Sequence, residues 1–202
     1  MIEFELKGNW RGAVRSEEEM AFIDKEAADL CFKEQKKNLD KFLQQKGFVK
    51  YRTNSYIRRN RIDVLEYINL QKDQYGSKTF TVNFALIALC LPHSELWFDL
   101  SNRLGMLICG RDIWWDHADA AVAEVSFQNV MDAIELVLMP WFEERADRSF
   151  LKNELWRADE ERSGRGLRGK YQEWIETLES SEDHSEVISG NIVSLKLPKK
   201  VQ

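Results

Sequence analysis

The sequence has few cysteines, and their placement suits neither a disulfide framework nor a zinc site. Cys31, Cys90 and Cys109 are the three cysteines among 202 residues, and no two of them form a CxxC pair. Disulfide scaffolds need cysteines in pairs, and zinc knuckles need them closely spaced. A hydrophobic core must therefore stabilise the fold, and with 44% hydrophobic residues the chain can build one.

Long apolar segments are also missing. No stretch approaches the roughly 18 uninterrupted apolar residues of a membrane span. The first residues, MIEFELKGNWRGAVRSEEE, lack the basic start and the apolar run of a signal peptide. We therefore expect a cytoplasmic protein with no membrane partner.

Basic residues are in the minority, and two common catalytic signatures are absent. Lysine and arginine number 29 against 34 acidic residues, a net charge of −5, whereas a general nucleic-acid binder needs a net basic face.

Neither GxSxG nor GxxxxGK[ST] occurs. These absences favour a non-enzymatic protein, and no catalytic, cofactor-binding or metal-binding residue is predicted.

Two short motifs that resemble chemical sites have simpler explanations. Residues 164–169 match GxGxxG, but they follow a polar helical stretch instead of an apolar strand, which indicates a basic linker. Asp112, Asp116, His117 and Asp119 could supply metal ligands, but their spacing fits neither an EF-hand nor HExxH. A solvated loop is the better interpretation.

Two segments have the apolar spacing of amphipathic helices. The first runs from Ser16, which begins a capping-box sequence, to about Lys46, and Gly47 follows as a stop signal. The second runs from Ser126 to Glu144, with Pro140 placed where a helix kinks or restarts.

Between these helices the apolar residues alternate, which indicates β-strands. In residues 62–71 and 79–90 the even-numbered positions form the more apolar face, and a turn-rich loop separates the two segments. The simplest pairing is an antiparallel hairpin that turns both even faces toward the core and brings Asn69 near Asn83. Shorter strands are predicted at 48–51 and 56–59, a short helix near 95–104, and a strand or an ordered loop at 112–116.

These segments predict an α+β fold, in which an antiparallel β-sheet, a meander of about three to five strands, packs against the two long amphipathic helices. The predicted organisation is an N-terminal arm (1–15), a single α+β domain (16–146), a helical C-terminal extension (147–179) and a flexible tail (180–202). The tail is assigned as flexible because its sequence continues a segment, from Tyr171 to Gly190, with six acidic residues and no Lys or Arg.

Three surfaces are candidates for binding. The first is a ligand pocket on the polar face of the sheet, formed by Asn69, Gln71 and Asn83 with Arg103 or Trp114 at the rim. The alternative for these amides is that they hydrogen-bond to one another across the strands.

The other two surfaces are charged. Residues 50–61 contain five cations and no acid, with Arg58, Arg59 and Arg61 as candidate contacts to single-stranded nucleic acid, although charges on an edge strand also prevent aggregation. The acidic segment presents Glu173, Glu176 and Glu179, which would attract a basic protein partner.

Several short pieces of sequence then occur in a recognisable order: GF at 47–48, INLQK at 68–72, FTVNF at 80–84, RLG at 103–105, WW at 114–115 and VLMPWF at 137–142. In this order they resemble an uncharacterised bacterial family, domain of unknown function 4304, over about residues 27–145. The usual family strand carries a glycine soon after its asparagine, where this chain has Phe84-Ala85. The resemblance implies a small α+β domain with no assigned activity or catalytic residues. Relatives of this type are suspected of being immunity proteins beside bacterial toxin genes.

The leading hypothesis is therefore a non-enzymatic protein-interaction domain, of the kind that inhibits a toxin as an immunity protein. One alternative is a small-ligand-binding protein or enzyme that uses the polar face of the sheet. The other is a nucleic-acid-binding module that uses the basic hairpin.

Overall fold

The structure, a computed structural model, describes residues 24–93, 98–163, 169 and 171–201. In chain order its elements are α1 (Lys25–Gln45), β1 (Val49–Arg52), β2 (Ser55–Arg59), β3 (Val64–Lys72), β4 (Thr79–Ala88), β5 (Leu100–Arg103), α2 (Leu104–Cys109), β6 (Trp115–Asp116), α3 (Ala120–Ala133), a π-helical turn (Ile134–Leu138), α4 (Met139–Arg145), α5 (Arg148–Ser163), α6 (Gln172–Glu179), α7 (Ser185–Ser194) and a 3-10 turn (Lys199–Val201).

The strands form one mostly antiparallel sheet, which confirms the α+β class. Five strands follow one another in chain order, β1-β2-β3-β4-β5, and β6 lies antiparallel to β4 with Phe80 opposite Trp115. The segment at 112–116 thus contains a short strand. The short helix predicted near 95–104 is wrong, since Leu100–Arg103 forms strand β5 beside β4 and the helix begins only at Leu104. Residues 94–97 lie outside the described residues.

Both ends of α1 have capping interactions. The Asp24 side chain accepts hydrogen bonds from backbone N–H groups of the first turn, so this helix begins at Lys25. The start predicted at Ser16 lies outside the described residues. At the other end Gly47 adopts a φ of 85°, and the Phe48 N–H donates to a carbonyl of the last turn at 2.9 Å. The predicted stop at Gly47 is confirmed.

The second long helix begins earlier than predicted. The Asp119 side chain caps α3 at Ala120, six positions before the expected Ser126. After Ala133 the backbone widens into a π-helical turn, and Pro140 lies in α4 directly after that turn. The change predicted at Pro140 is thus a π-helical turn that leads into a new helix.

The even-numbered side chains of β3 and β4 are buried, as predicted. Phe80 packs edge-on against Phe32 of α1, with ring centroids 5.3 Å apart, and its ring lies 4.8 Å from that of Phe127 of α3. Burial also extends to part of the odd face, which the alternation alone does not predict. The buried odd-numbered side chains include Leu65, Tyr67, Ala85, Ile87 and Leu89.

By its internal contacts the chain divides into two compact units. Unit 1 contains the described residues up to 56, together with 68–84 and 102–139. Unit 2 contains 57–67, the described part of 85–101 and the described part of 140–202. The limits of the two units fall inside strands β2, β3 and β4. A search of the sequence for linkers between elements therefore cannot find these limits.

The region predicted as a flexible tail contains a helix instead. In unit 2, Asn191 of α7 is 3% exposed, and its Nδ2 donates to the carbonyl oxygens of Leu89 and Leu91 at 2.8 and 2.6 Å. Its Oδ1 accepts from the His93 N–H at 2.9 Å. Leu195, Leu197 and Val201 are also buried. These contacts give residues 185–201 a fixed place in unit 2.

Candidate functional site

Exposed carboxylates cover α6 and the start of α7 in unit 2. Helix α6 buries Trp174 and Ile175 on one side, which leaves glutamates at a spacing of three residues on the other. We call the following six side chains, all of them exposed, the acidic surface: Glu173, Glu176, Glu179, Glu182, Asp183 and Glu186. The three glutamates predicted as an interaction surface are therefore accessible to a partner.

The acidic surface is largely without compensating charge. Among the described residues, only Glu179 of the six has a basic partner, Lys152, whose Nζ lies 3.1 Å from Glu179 Oε1. The backbone N–H and the hydroxyl of Ser185 both donate to Asp183, and these hydrogen bonds lower the pKa of that carboxyl. A concentrated negative potential results on this side of the unit.

The basic hairpin is engaged in internal contacts. Arg58 Nε lies 2.5 Å from Glu66 Oε2, and Arg59 Nη2 lies 2.7 Å from Asp63 Oδ1. Arg61 Nε donates to the Ala146 carbonyl at 3.0 Å. All three arginines predicted as contacts therefore bind acceptors of unit 2.

Further along the same hairpin, in unit 1, Lys50 lies 3.5 Å from Asp40, and the Arg52 guanidinium lies over the Tyr51 ring, 5.0 Å from its centroid. Asp40 also accepts hydrogen bonds from Lys36 and from the Tyr56 hydroxyl. Burial raises the pKa of Tyr56, so its hydroxyl stays a hydrogen-bond donor. Lys36, Lys50 and Arg52 are thus engaged with neighbouring side chains of unit 1.

The amides of the predicted pocket are brought together and pair with one another. Asn83 Nδ2 lies 3.3 Å from Asn69 Oδ1 and donates to Gln71 Oε1 at 3.0 Å. Asn69 Nδ2 in turn donates to Ser55 Oγ at 3.0 Å. The predicted proximity of Asn69 and Asn83 is confirmed, and the four side chains form a ladder across β2, β3 and β4.

The two rim residues of that predicted pocket form a separate contact. The Arg103 guanidinium lies 5.4 Å from the centroid of a Trp114 ring and forms an ion pair with Asp112. Gly105, at the start of α2, allows the chain to return closely: a Cβ there would lie 2.5 Å from the Ile113 backbone nitrogen. This close approach explains why the RLG piece needs its glycine.

A cavity of about 450 Å³ lies in unit 2, in a place that the sequence did not indicate. It is bordered by Cys90 after β4, Arg148 at the start of α5, the end of α6, and His184 before α7. Burial raises the pKa of Cys90 to about 11, so the thiol is protonated at neutral pH and is a weak nucleophile. Only the fold brings these residues together, since they are separated by up to about a hundred positions.

The motif residues that resembled metal ligands have structural roles. Asp116 accepts from the Ala118 N–H, Asp119 caps α3, and Asp112 pairs with Arg103. Burial lowers the pKa of His117, whose Nδ1 lies 3.2 Å from the Ala28 carbonyl oxygen. Within the described residues no group of three or more His, Cys, Asp or Glu is placed to hold a metal ion. Residues 164–168 of the GxGxxG match lie outside the described residues.

Fold and surfaces together define an α+β protein with a mostly antiparallel sheet and an acidic helical surface. The chain belongs to the family described as Domain of unknown function (DUF4304), whose model matches residues 39–144, a little over half of its length. No curated protein and no solved structure matches the chain. Among the described residues, no helix combines the length and apolar character that a membrane crossing requires.

Proposed function

We propose that the chain is a non-enzymatic, cytoplasmic protein-interaction domain whose acidic surface binds a basic protein partner. The observation that carries this proposal is the exposure of all six carboxylates with a single basic partner among the described residues. Such a surface accelerates association with a basic partner and is sensitive to salt.

Charge pairing favours this function over the two alternatives. The arginines of the basic hairpin bind Glu66, Asp63 and the Ala146 carbonyl, so nucleic acid would have to compete with internal acceptors. The amides of the polar face satisfy one another, which leaves fewer groups for a ligand there. Of the two charged surfaces predicted from the sequence, the acidic one has fewer ion pairs within the described part of the chain.

The partner class that the family resemblance suggests is a toxin, which the chain would inhibit as an immunity protein. A basic active-site cleft is a natural target for an acidic helical surface, because opposite potentials steer the two proteins together and blocking the cleft needs no catalysis. In this form of the function, α6 and the start of α7 contact the toxin.

The experiment is affinity capture from a lysate of the native organism with two matched variants. Glu173→Gln, Glu176→Gln and Glu186→Gln together remove three charges from the acidic surface. The control replaces three exposed glutamates elsewhere, Glu34→Gln, Glu124→Gln and Glu161→Gln, with the same change in net charge.

We expect the wild-type chain and the control to capture the same stoichiometric partner at low salt and to lose it at high salt. The acidic-surface variant should fail to capture it at either salt concentration. Capture by all three proteins alike, or no stoichiometric partner with wild type, contradicts the proposal. A captured protein that arrests growth when expressed without this chain would identify the toxin.

A further inference from the structure

The cavity in unit 2 has the size and the lining of a small-molecule site. Its volume of about 450 Å³ falls in the range of roughly 300–1,000 Å³ that is usual for such sites. Its wall combines charged and hydroxyl side chains with three aliphatic ones, Leu178, Ile188 and Ile192. The cavity therefore offers a polar part and an apolar part to the same ligand.

Two polar groups of the wall have no partner among the described residues. His184 Nε2 is buried and makes no hydrogen bond. The exposed Arg148 side chain also lines the cavity, and its guanidinium forms no ion pair or hydrogen bond with any described residue. A buried nitrogen such as His184 Nε2 is unfavourable without a hydrogen-bond partner, and a bound ligand is one way to supply that partner.

The charges of the wall indicate the charge of the ligand. Arg59 and Asp63 pair with each other, so they contribute little net charge. Arg148 is a cation and Glu182 is a carboxylate, both exposed on the cavity wall, and neither forms an ion pair with a described residue. A simple anion would be repelled by Glu182 and Asp183, and a simple amine by Arg148. A zwitterion satisfies both kinds of group.

We infer that this cavity binds a free α-amino acid with an aliphatic side chain. The ligand carboxylate pairs with Arg148, the ammonium group pairs with Glu182, and the side chain lies against Leu178, Ile188 and Ile192. This site is separate from the polar face of the sheet and adds a small-molecule ligand to a chain proposed to bind a protein.

The test is titration calorimetry of the full chain with L-leucine and with two analogues that each lack one charge. 3-Methylbutylamine lacks the carboxylate, and 4-methylpentanoate lacks the ammonium group. We expect L-leucine to bind and each analogue to bind at least tenfold more weakly, since charged partners left unpaired lose a tenfold factor for about every 1.4 kcal/mol. Equal affinity for leucine and either analogue overturns the zwitterion assignment.

Two variants with matched controls locate the site. Arg148→Gln and Glu182→Gln should each weaken leucine binding at least tenfold, while Arg157→Gln and Glu124→Gln, at exposed positions outside the cavity wall, should leave it unchanged. Leucine should also shift the NMR signals of the His184 ring in the wild-type chain. Absence of leucine binding at millimolar concentration, or equal binding by cavity and control variants, overturns the inference.

Discussion

Arg58→Met should destabilise the protein, because it leaves a buried carboxylate without its ion-pair partner. Glu66 is 0% exposed on β3, and its Oε2 lies 2.5 Å from Arg58 Nε. Methionine retains the aliphatic stem of the arginine and removes the charge. Breaking a buried ion pair lowers the free energy of unfolding by about 3–5 kcal/mol. Because Glu66 can take up a proton when its partner is removed, we expect a loss near the lower end of this range. In a chain of this length, a loss of about 3 kcal/mol lowers the melting temperature by roughly 6–12 °C.

The size of the effect should depend on pH in a defined direction. Burial raises the pKa of Glu66 above its ordinary value of 4.5, and loss of Arg58 should raise it further. A carboxyl group with a raised folded-state pKa stabilises the fold while it is protonated, and this contribution is lost as pH rises through that pKa. Arg58→Met should therefore cost little near pH 5 and most at about pH 8.

Urea unfolding followed by tryptophan fluorescence at both pH values measures this difference. The control is the double variant Arg58→Met/Glu66→Leu, which should regain most of the lost stability because an apolar pair needs no compensating charge. The reasoning is refuted if Arg58→Met costs the same at both pH values, or if the double variant is no more stable than the single one.

Three further predictions concern other features. Gly105→Ala should lower the free energy of unfolding by roughly 1–3 kcal/mol, because the added Cβ overpacks against the returning chain. Gly190→Ala in α7, where a Cβ meets nothing within 4 Å, should raise it by up to about 1 kcal/mol. Urea unfolding measures both changes. Cys90, with its raised pKa, should react with iodoacetamide about a hundredfold more slowly than the exposed Cys109, as peptide mapping by mass spectrometry measures. Because burial lowers the pKa of His117, the unfolding free energy should fall as pH decreases below about 6.5, and NMR titration of its ring should give a pKa below that value.

Each of these predictions has an outcome that contradicts it. Wild-type stability of Gly105→Ala would mean that the loop after α2 moves freely away from the helix. Equal alkylation rates of the two cysteines would mean that Cys90 is not buried in solution. A His117 pKa above the ordinary value would mean that its ring has an anionic partner.

The sheet was predictable where a single local period decides it. Alternation along β3 and β4 is strong, so it predicted the hairpin, the buried even face and the proximity of Asn69 and Asn83. Glu66 lies on that even face and is buried, because Arg58 of the neighbouring strand supplies its partner. Strand pairing, which a single alternating pattern does not encode, decides whether such a charge is tolerated.

The C-terminal helix was missed although it carries a local signal, and the cavity could not be predicted from any local pattern. Composition suggested a flexible tail, yet Ile188, Ile192 and Leu195 recur at spacings of four and three residues, which is the signal that could have revealed α7. The buried hydrogen bonds of Asn191 join positions about a hundred residues apart. The local sequence pattern carries no information about such a long-range contact. The cavity is also formed by residues that are distant in the sequence, so it could not be predicted either.

Asn191 has a consequence for how the family region can be produced on its own. The carbonyl groups that it binds belong to Leu89 and Leu91, inside the matched range 39–144, whereas Asn191 lies well beyond that range. A fragment cut at the limits of the match would expose these backbone groups and remove α5, α6 and α7 from unit 2. The range that matches the family model thus leaves out side chains on which the packing of unit 2 depends.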